Sequence, residues 1–325
     1  MLSKEQLSSR FVEFGEKLQE FAHPKAGVNH ALYLSKKREA EIKNPWFTER
    51  EINRALEGWT KSFNPLGLDR FLDHAFQFEY AKDKTLAIIS AGNIPLVGLH
   101  DVLCALLSDC NVVVKPSSDD EVLLKTVCDI LLAIFPEWQG RLKWVEHLKG
   151  GNFDGVIATG SDNSARYFEY YFREKKHLIR KNRCSVAVLD GSESEEQMRK
   201  LALDLFAYFG LGCRSVSKVF IPKDFDVQRI FAVLPPFEYL MDHNKYMNNY
   251  TYRKALYLLN QEVFLENGYV MLKETEEMHS PISVIFAERY ESLEQVESKL
   301  QDCADKIQCR VGVNGVPFGE AQNPG

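Results

Sequence analysis

The chain has 325 residues, 45% hydrophobic and 26% charged, which is enough to bury a large core and to divide into two domains. Its formal net charge of -6 excludes a general phosphate-backbone binder, which needs clustered Lys and Arg, so nucleic acid is not an expected partner. The N-terminal stretch MLSKEQLSSRFVEFGEKLQEF is charged throughout, which excludes a secretory signal or a membrane span there and leads to the expectation of a cytoplasmic protein.

Residues 1 to about 80 read as helices. QLSSRFVEFGEKLQEF and EREINRALEGWTKSF repeat apolar positions at spacings of three and four, and AHPKAG, NPW and NPLG break the pattern. From Lys84 the texture changes: TLAIIS is a short apolar strand, PLVGLHDVLCALLS a helix and CNVVVKPS a second apolar strand, a βαβ order. DDEVLLKTVCDILLAIF is helical, and FDGVIATGSDNSARYFEYYF is a strand that passes through Thr-Gly-Ser into a helix. Strands that are apolar on both faces and alternate with helices predict a mostly parallel sheet, so the first domain is α/β. After RCSVAVLDG the alternation restarts with helix EEQMRKLALDLFAYF, a turn holding Cys213, strand SVSKVFIP, helix DVQRIFAVL, an aromatic-rich stretch 237–259, strands GYVML and ISVIFAE, and helix LEQVESKLQDCADKI. We expect 1–183 to form N-terminal helices plus an α/β domain, which the resemblance described below implies is dinucleotide-binding, 184–312 a second α/β domain carrying Cys213, and 313–325 a return segment.

The seven cysteines include no C-x-x-C, and an odd count in a chain of this size reads as reduced thiols rather than a disulfide framework. No histidine or cysteine spacing completes a zinc site, so no metal is expected.

Four short segments carry the chemistry. ISAGNIPLVG ends a strand, presents Asn93 and starts a helix through Pro95; a helix-capping Asn before a proline gives the same pattern. NVVVKPSSDD places Lys115 at the carboxyl end of a strand, where α/β sheets bind ligands and where a solvated lysine is equally at home. GVIATGSDNSARYF sets Gly160 and Ser161 between strand and helix, where free N–H groups favour a phosphate, although G-x-G-x-x-G is absent. LDLFAYFGLGCRSVSKVFIP puts Cys213 in a glycine-bounded connection that can present a thiol to a ligand.

In this order, Asn93-Ile94-Pro95, Lys115-Pro116, Thr159-Gly160-Ser161, Cys213, Glu276-Glu277-Met278-His279-Ser280-Pro281 and Pro317-Phe318-Gly319 resemble the aldehyde dehydrogenase superfamily over about residues 84 to 320. FGLGCRSVSKVFIP and PFGEAQ are most similar to its fatty acyl-CoA reductase, LuxC-like, group. The resemblance implies an aldehyde-dehydrogenase-like fold of two α/β domains with an N-terminal helical segment. It implies that Cys213 forms an acyl-enzyme, and that the Asn93 amide and the Cys213 backbone N–H stabilise the oxyanion. Lys115, Ser118, Gly160, Ser161, Glu277 and Phe318 would then bind the cofactor, with Lys115 facing the adenosine ribose or its phosphate and Glu277 the nicotinamide ribose.

Departures from the family pattern sharpen the expectation. Aldehyde-oxidising relatives carry Glu-Leu-Gly-Gly-Lys before the second domain, and its Glu activates the hydrolytic water; aligned on the following strand, this chain has Ile179 there. Without that base an acyl-cysteine outlives water and can be reduced or exchanged with CoA. Ser118 stands where NAD-preferring relatives have a Glu, which favours NADPH, although Asp119 and Asp120 lie close. The implied activity is reduction of a fatty acyl-CoA to aldehyde and CoA with NADPH; a non-redox acyl-transfer protein or a non-catalytic subunit of a multi-enzyme complex is the alternative. KKHLIRKNR could take CoA or NADPH phosphates or be a solvated basic face, and 237–259 could line an acyl tunnel or pack an insertion. Relatives continue past Pro-Phe-Gly with a tail that packs or assembles, whereas this sequence stops at FGEAQNPG; a homo-oligomer and an acyl-transferring or acyl-activating partner protein are both compatible with the resemblance.

Overall fold

The structure is a computed structural model that describes residues 2–75, 82–148 and 151–323. The chain forms two compact units, Met1–Lys181 and Asn182–Gly325, and this division falls two residues before the expected boundary at 183/184.

In the first unit, Ser3 and Gln6 make a capping box that starts α1 (Lys4–Ala22), whose Leu7, Phe11, Phe14, Leu18 and Phe21 recur at helical spacing and are buried. Helices α2 (His30–Lys43), α3 (Glu49–Ser62) and α4 (Pro65–Ala75) follow; residues 76–81, at the end of the region read as helical, lie outside the described residues. Phe11 stacks on Phe63 at 5.4 Å between ring centres and meets Phe135 at 5.0 Å, which ties α1 to the ends of α3 and of α6 (below). The elements then alternate as β1 (Thr85–Ile89), α5 (Leu99–Leu107), β2 (Asn111–Lys115), α6 (Glu121–Ile134), β3 (Leu142–Trp144), β4 (Gly155–Thr159), α7 (Asp162–Phe172) and β5 (Lys176–Arg180). All pairings in the sheet β3-β2-β1-β4-β5 are parallel. Because β2 and β4 lie on opposite sides of β1, the strand order reverses there, and in open α/β sheets ligands bind beside such a point at the carboxyl ends.

The second unit contains β6 (Cys184–Val188), α8 (Glu195–Phe206), β7 (Val216–Pro222), α9 (Gln228–Ala232), α10 (Asn244–Leu259), β8 (Leu265–Glu266), β9 (Met271–Glu274), β10 (Val284–Tyr290), α11 (Leu293–Asp302) and β11 (Ile307–Gly312). Its sheet runs β11-β6-β7-β10-β9-β8, parallel except for the two-residue edge strand β8. Every residue of β6 is buried, and Val186, Val188 and Phe220 pack with Val296 and Leu300 of α11. Residues 313–323 stay with this unit.

Two expected boundaries move. Strand β1 stops at Ile89 and α5 begins at Leu99, so Asn93 and Pro95 lie in a long connection rather than at a strand end and a helix start. Leu96 takes φ +64, outside the helical region, which interrupts any helix through Pro95. Likewise α8 ends at Phe206, because Tyr208, Phe209 and Gly210 follow at φ +53, +57 and +76.

Candidate active site

In the first unit the expected residues gather along one edge of the sheet. Ile89 is in register with Lys115 on one side and Ala158 on the other, so the connections carrying Asn93, Ser118, Gly160 and Ser161 leave from neighbouring carboxyl ends. The exposed Asn93 sits in a braced loop. Ser90 N–H donates to the Lys115 carbonyl at 3.3 Å, and the buried Asn44 side chain donates to the Gly92 carbonyl at 3.2 Å. A Cβ on Gly92 would lie 2.6 Å from Ser117 Oγ, so this loop approaches the β2–α6 connection as only a glycine permits. Leu96 N–H donates to Asp120 Oδ2 at 2.6 Å, which holds leucine in its left-handed conformation. Burial pushes the Asp120 carboxyl well above the usual carboxylate range, and the N–H groups of Leu96 and Leu124 oppose that rise.

Lys115 is half-buried, and Ser118 and Asp119 are exposed, but Asp120 is turned inward. One of the two carboxylates beside Ser118 is thus committed to the Asn93 loop. Ser161 caps α7 by accepting the Ser164 N–H at 3.3 Å, and a Cβ on Gly160 would meet Ser164 Cβ at 3.0 Å, which makes a close strand-to-helix turn. Ile179 packs against the core cluster of Ala87, Ile89, Phe153, Val156 and Ala158. Its neighbour Arg180 donates through Nη1 to both oxygens of the buried Asp101 of α5, at 2.8 and 2.7 Å. At residues 179 and 180 the end of β5 therefore offers an alkyl group and a paired guanidinium.

In the second unit Cys213 follows the left-handed run 208–210. Consecutive aromatic residues at positive φ are strained, and such strain persists only where the surroundings enforce it. Leu211 N–H donates to the Tyr208 carbonyl at 2.9 Å, Ser215 N–H to Gly212 O at 2.9 Å, and Ser185 Oγ to the Cys213 carbonyl at 2.9 Å, so the loop is tied to itself and to β6. Phe209 packs at a tilt against His243 with 4.4 Å between ring centres. Cys213 is exposed, yet the surrounding protein desolvates its sulfur enough to push the thiol above its usual range, while Arg214, backbone N–H groups and Arg183 act against that rise.

Glu277 is exposed on the turn after β9, where its N–H donates to Thr275 Oγ1 at 3.3 Å. Two residues of β7 hold this turn. Ser217 Oγ donates to the Met278 carbonyl at 3.1 Å, and the fully buried Lys218 donates to the Thr275 carbonyl. Lys218 also lies 2.6 Å from Glu288, an ion pair rather than a directed hydrogen bond, and Lys299 donates to the other Glu288 oxygen at 2.6 Å. Phe318 is buried against Gly312, where a Cβ would lie 2.7 Å from its ring. The second unit thus carries Cys213, Glu277 and Phe318, and the first carries Asn93, Lys115, Ser118, Gly160 and Ser161.

The supporting residues Asp120, Asp101 and Lys218 belong to no motif, although Lys218 leaves a signal as a lone charge in the apolar strand VSKVFIP. All seven cysteines are free, and no cluster of three metal-ligating side chains exists among the described residues. No helix of the described residues is long and apolar enough to cross a membrane.

The chain matches the family described as Acyl-CoA reductase (LuxC) over residues 37–232. A comparison with curated proteins gave no match. Among solved structures it is similar to HpcC from Thermus thermophilus, with TM-score 0.66 and 13% identity over 92% of this chain and 67% of that one. It is also similar to an acetylating aldehyde dehydrogenase from Geobacillus thermoglucosidasius, with TM-score 0.64 and 8% identity over 95% and 76%. A third is an aldehyde dehydrogenase from Bacillus cereus in complex with NAD+, with TM-score 0.60 and 14% identity over 92% and 69%. These likenesses establish the aldehyde-dehydrogenase-like fold.

Proposed function

This chain belongs to the acyl-CoA reductase (LuxC) family, and from that premise we propose that it reduces a fatty acyl-CoA to the aldehyde with NADPH through a thioester on Cys213. The observation that carries the reading is an exposed thiol on a strained, tied loop, in a chain that has Ile179 at the position aligned with the hydrolytic Glu of aldehyde-oxidising relatives. The Cys213 thiolate attacks the acyl carbonyl, oxyanion donation is the role that the resemblance gives to the Asn93 amide and the Cys213 N–H, and CoA leaves as a thiolate of similar basicity. That exchange is nearly balanced and needs little acid catalysis. A reduced nicotinamide, when bound, would supply a hydride to the acyl carbon, and collapse to the aldehyde would return the Cys213 thiolate.

The residues present fit a phosphorylated dinucleotide. Lys115 makes no ion pair among the described residues, Gly160 and Ser161 open onto the α7 N-terminus, and Asp120 points away into the Asn93 loop. Glu277, on its turn braced by Ser217 and Lys218, would take the nicotinamide ribose, and Phe318 would support the same side from within the second unit.

The experiment is NADPH oxidation by the purified protein with acyl-CoAs of several chain lengths, alongside intact-mass detection of the acyl adduct. Absence of both would sink the reading, and an adduct without oxidation would favour non-redox acyl transfer. The cofactor choice has its own check. Ser118→Glu should place a carboxylate by the 2′-phosphate and raise the KM for NADPH about tenfold or more, with little change for NADH, in steady-state kinetics.

A further inference from the structure

The segment Pro317–Gln322 lies along α8 and the Cys213 loop as a strap. Gly319 N–H donates to Asp204 Oδ2 at 2.6 Å, and Ala321 N–H donates to Asp204 Oδ1 at 3.0 Å. Beyond them, the Ala321 carbonyl accepts from Arg214 Nη1 at 3.1 Å, and Gln322 Nε2 donates to Ser215 Oγ at 3.4 Å. Gly319 sits at φ +89, and a Cβ there would come within 3.2 Å of Lys200 Cβ, so the strap lies as close to α8 as a glycine allows.

Asp204 is 1% exposed and pairs with no cation among the described residues. Burial pushes its carboxyl up to about 6, and the two strap N–H groups oppose that rise. A buried acid held this way is costly, and two oxygens that accept two backbone N–H groups at once are what a carboxylate provides and an amide does not. The chain of contacts then leads to the thiol. Ala321 is fully buried, its carbonyl fixes the Arg214 guanidinium, and Arg214 is the foremost group acting against the rise of the Cys213 thiol.

We propose that Asp204 is a positioning residue for Cys213: its carboxylate holds the Pro317–Gln322 strap, and the strap's Ala321 carbonyl holds Arg214 where its charge acts on the thiol. The proposal rests on Cys213 being the reacting thiol. The other charged and titratable groups around this chain of contacts are Arg183, which acts on the thiol, Cys309 on β11, which faces Arg214, Asp204 and Cys213, Glu320 of the strap, and Lys200, which is paired with Glu196 at 3.0 Å.

The test follows alkylation of Cys213 by iodoacetamide against pH, read by mass spectrometry of the Cys213 peptide. In Asp204→Asn the midpoint should rise and the rate near neutral pH should fall about 3- to 10-fold, since only the thiolate reacts. Gly319→Ala dislodges the strap while leaving the carboxylate in place, and should shift the profile in the same direction. It also decides the matter if Asp204→Asn does not fold. Arg214→Gln should slow the reaction too, and Asp204→Asn should add nothing to it in the double variant. A merely loosened fold would relieve the desolvation of the sulfur and speed alkylation, so the sign separates positioning from damage. An unchanged profile in folded Asp204→Asn and Gly319→Ala, or additive effects in the double variant, overturns the proposal. Failure of the wild-type protein to take an acyl group from acyl-CoA would instead sink the enzymatic reading and leave this profile standing.

Discussion

With Cys213 replaced by alanine, incubation with fatty acyl-CoA is expected to leave the intact mass unchanged and to lower acyl-CoA-dependent NADPH oxidation by at least about 1000-fold. The size of the effect follows from the lack of a substitute. Cys110, Cys128, Cys184 and Cys309 are buried, Cys104 and Cys303 are partly so, and Cys213 is the cysteine the fold exposes. Cys213→Ser should be nearly as inactive, because a hydroxyl in the same place stays protonated where a thiol begins to ionise. The wild-type pH dependence carries the same signature. Because desolvation holds the thiol above its usual range, its thiolate fraction is small at neutral pH, and acylation should rise about tenfold per pH unit through the neutral and mildly alkaline range. Stopped-flow acylation at saturating acyl-CoA measures this directly. Undiminished oxidation in Cys213→Ala, or a flat pH profile, would remove the thioester from the mechanism.

The α/β order was legible because the strands TLAII, NVVVK and GVIAT are apolar runs closed by Gly, Pro or Ser, a pattern set by burial on both faces of a parallel sheet. Helix α2 falls between the AHPKAG and NPW breaks, in the region read as helical, but no apolar repeat of its own marked it. Its buried line is Tyr33, Lys37 and Ala40, and Lys37 enters the interior only because its ammonium donates to the Ala22 carbonyl and the Asn53 side chain. Apolar periodicity cannot register a lysine that is satisfied by a partner distant in the chain. The same limit applies at the site. The order of Asn93, Lys115, Ser161, Cys213 and Glu277 is what carries the resemblance, because short motifs in sequence order can be read from the chain alone. Their supports cannot. The Leu96 conformation that keeps Pro95 out of a helix is imposed by Asp120 from the next connection, and Asp204 meets Gly319 across 115 positions. A leucine at positive φ has no local cause in ISAGNIPLVG; the tertiary hydrogen bond supplies it.

Asn93→Ala is the second large effect, an expected fall in kcat of about 100- to 1000-fold with little change in KM for acyl-CoA. The split between kcat and KM follows from how the loop is built. Asn44 holds the Gly92 carbonyl, Ser117 packs against Gly92, and Asp120 holds the Leu96 N–H, so the backbone on both sides of residue 93 is fixed by groups other than the Asn93 side chain. Truncating the amide removes a hydrogen-bond donor and leaves those three supports in place. A donor aimed at the oxyanion is worth most once charge has moved onto oxygen, so its loss lies on the transition state and spares ground-state binding. Asn93→Asp should be worse than alanine, because a carboxylate beside a developing oxyanion repels it, and that variant should recover part of its rate as pH falls and the carboxyl is protonated. Single-turnover acylation of Cys213, followed by intact mass, isolates the step. An Asn93→Ala rate within about fivefold of wild type would mean that the oxyanion is held elsewhere.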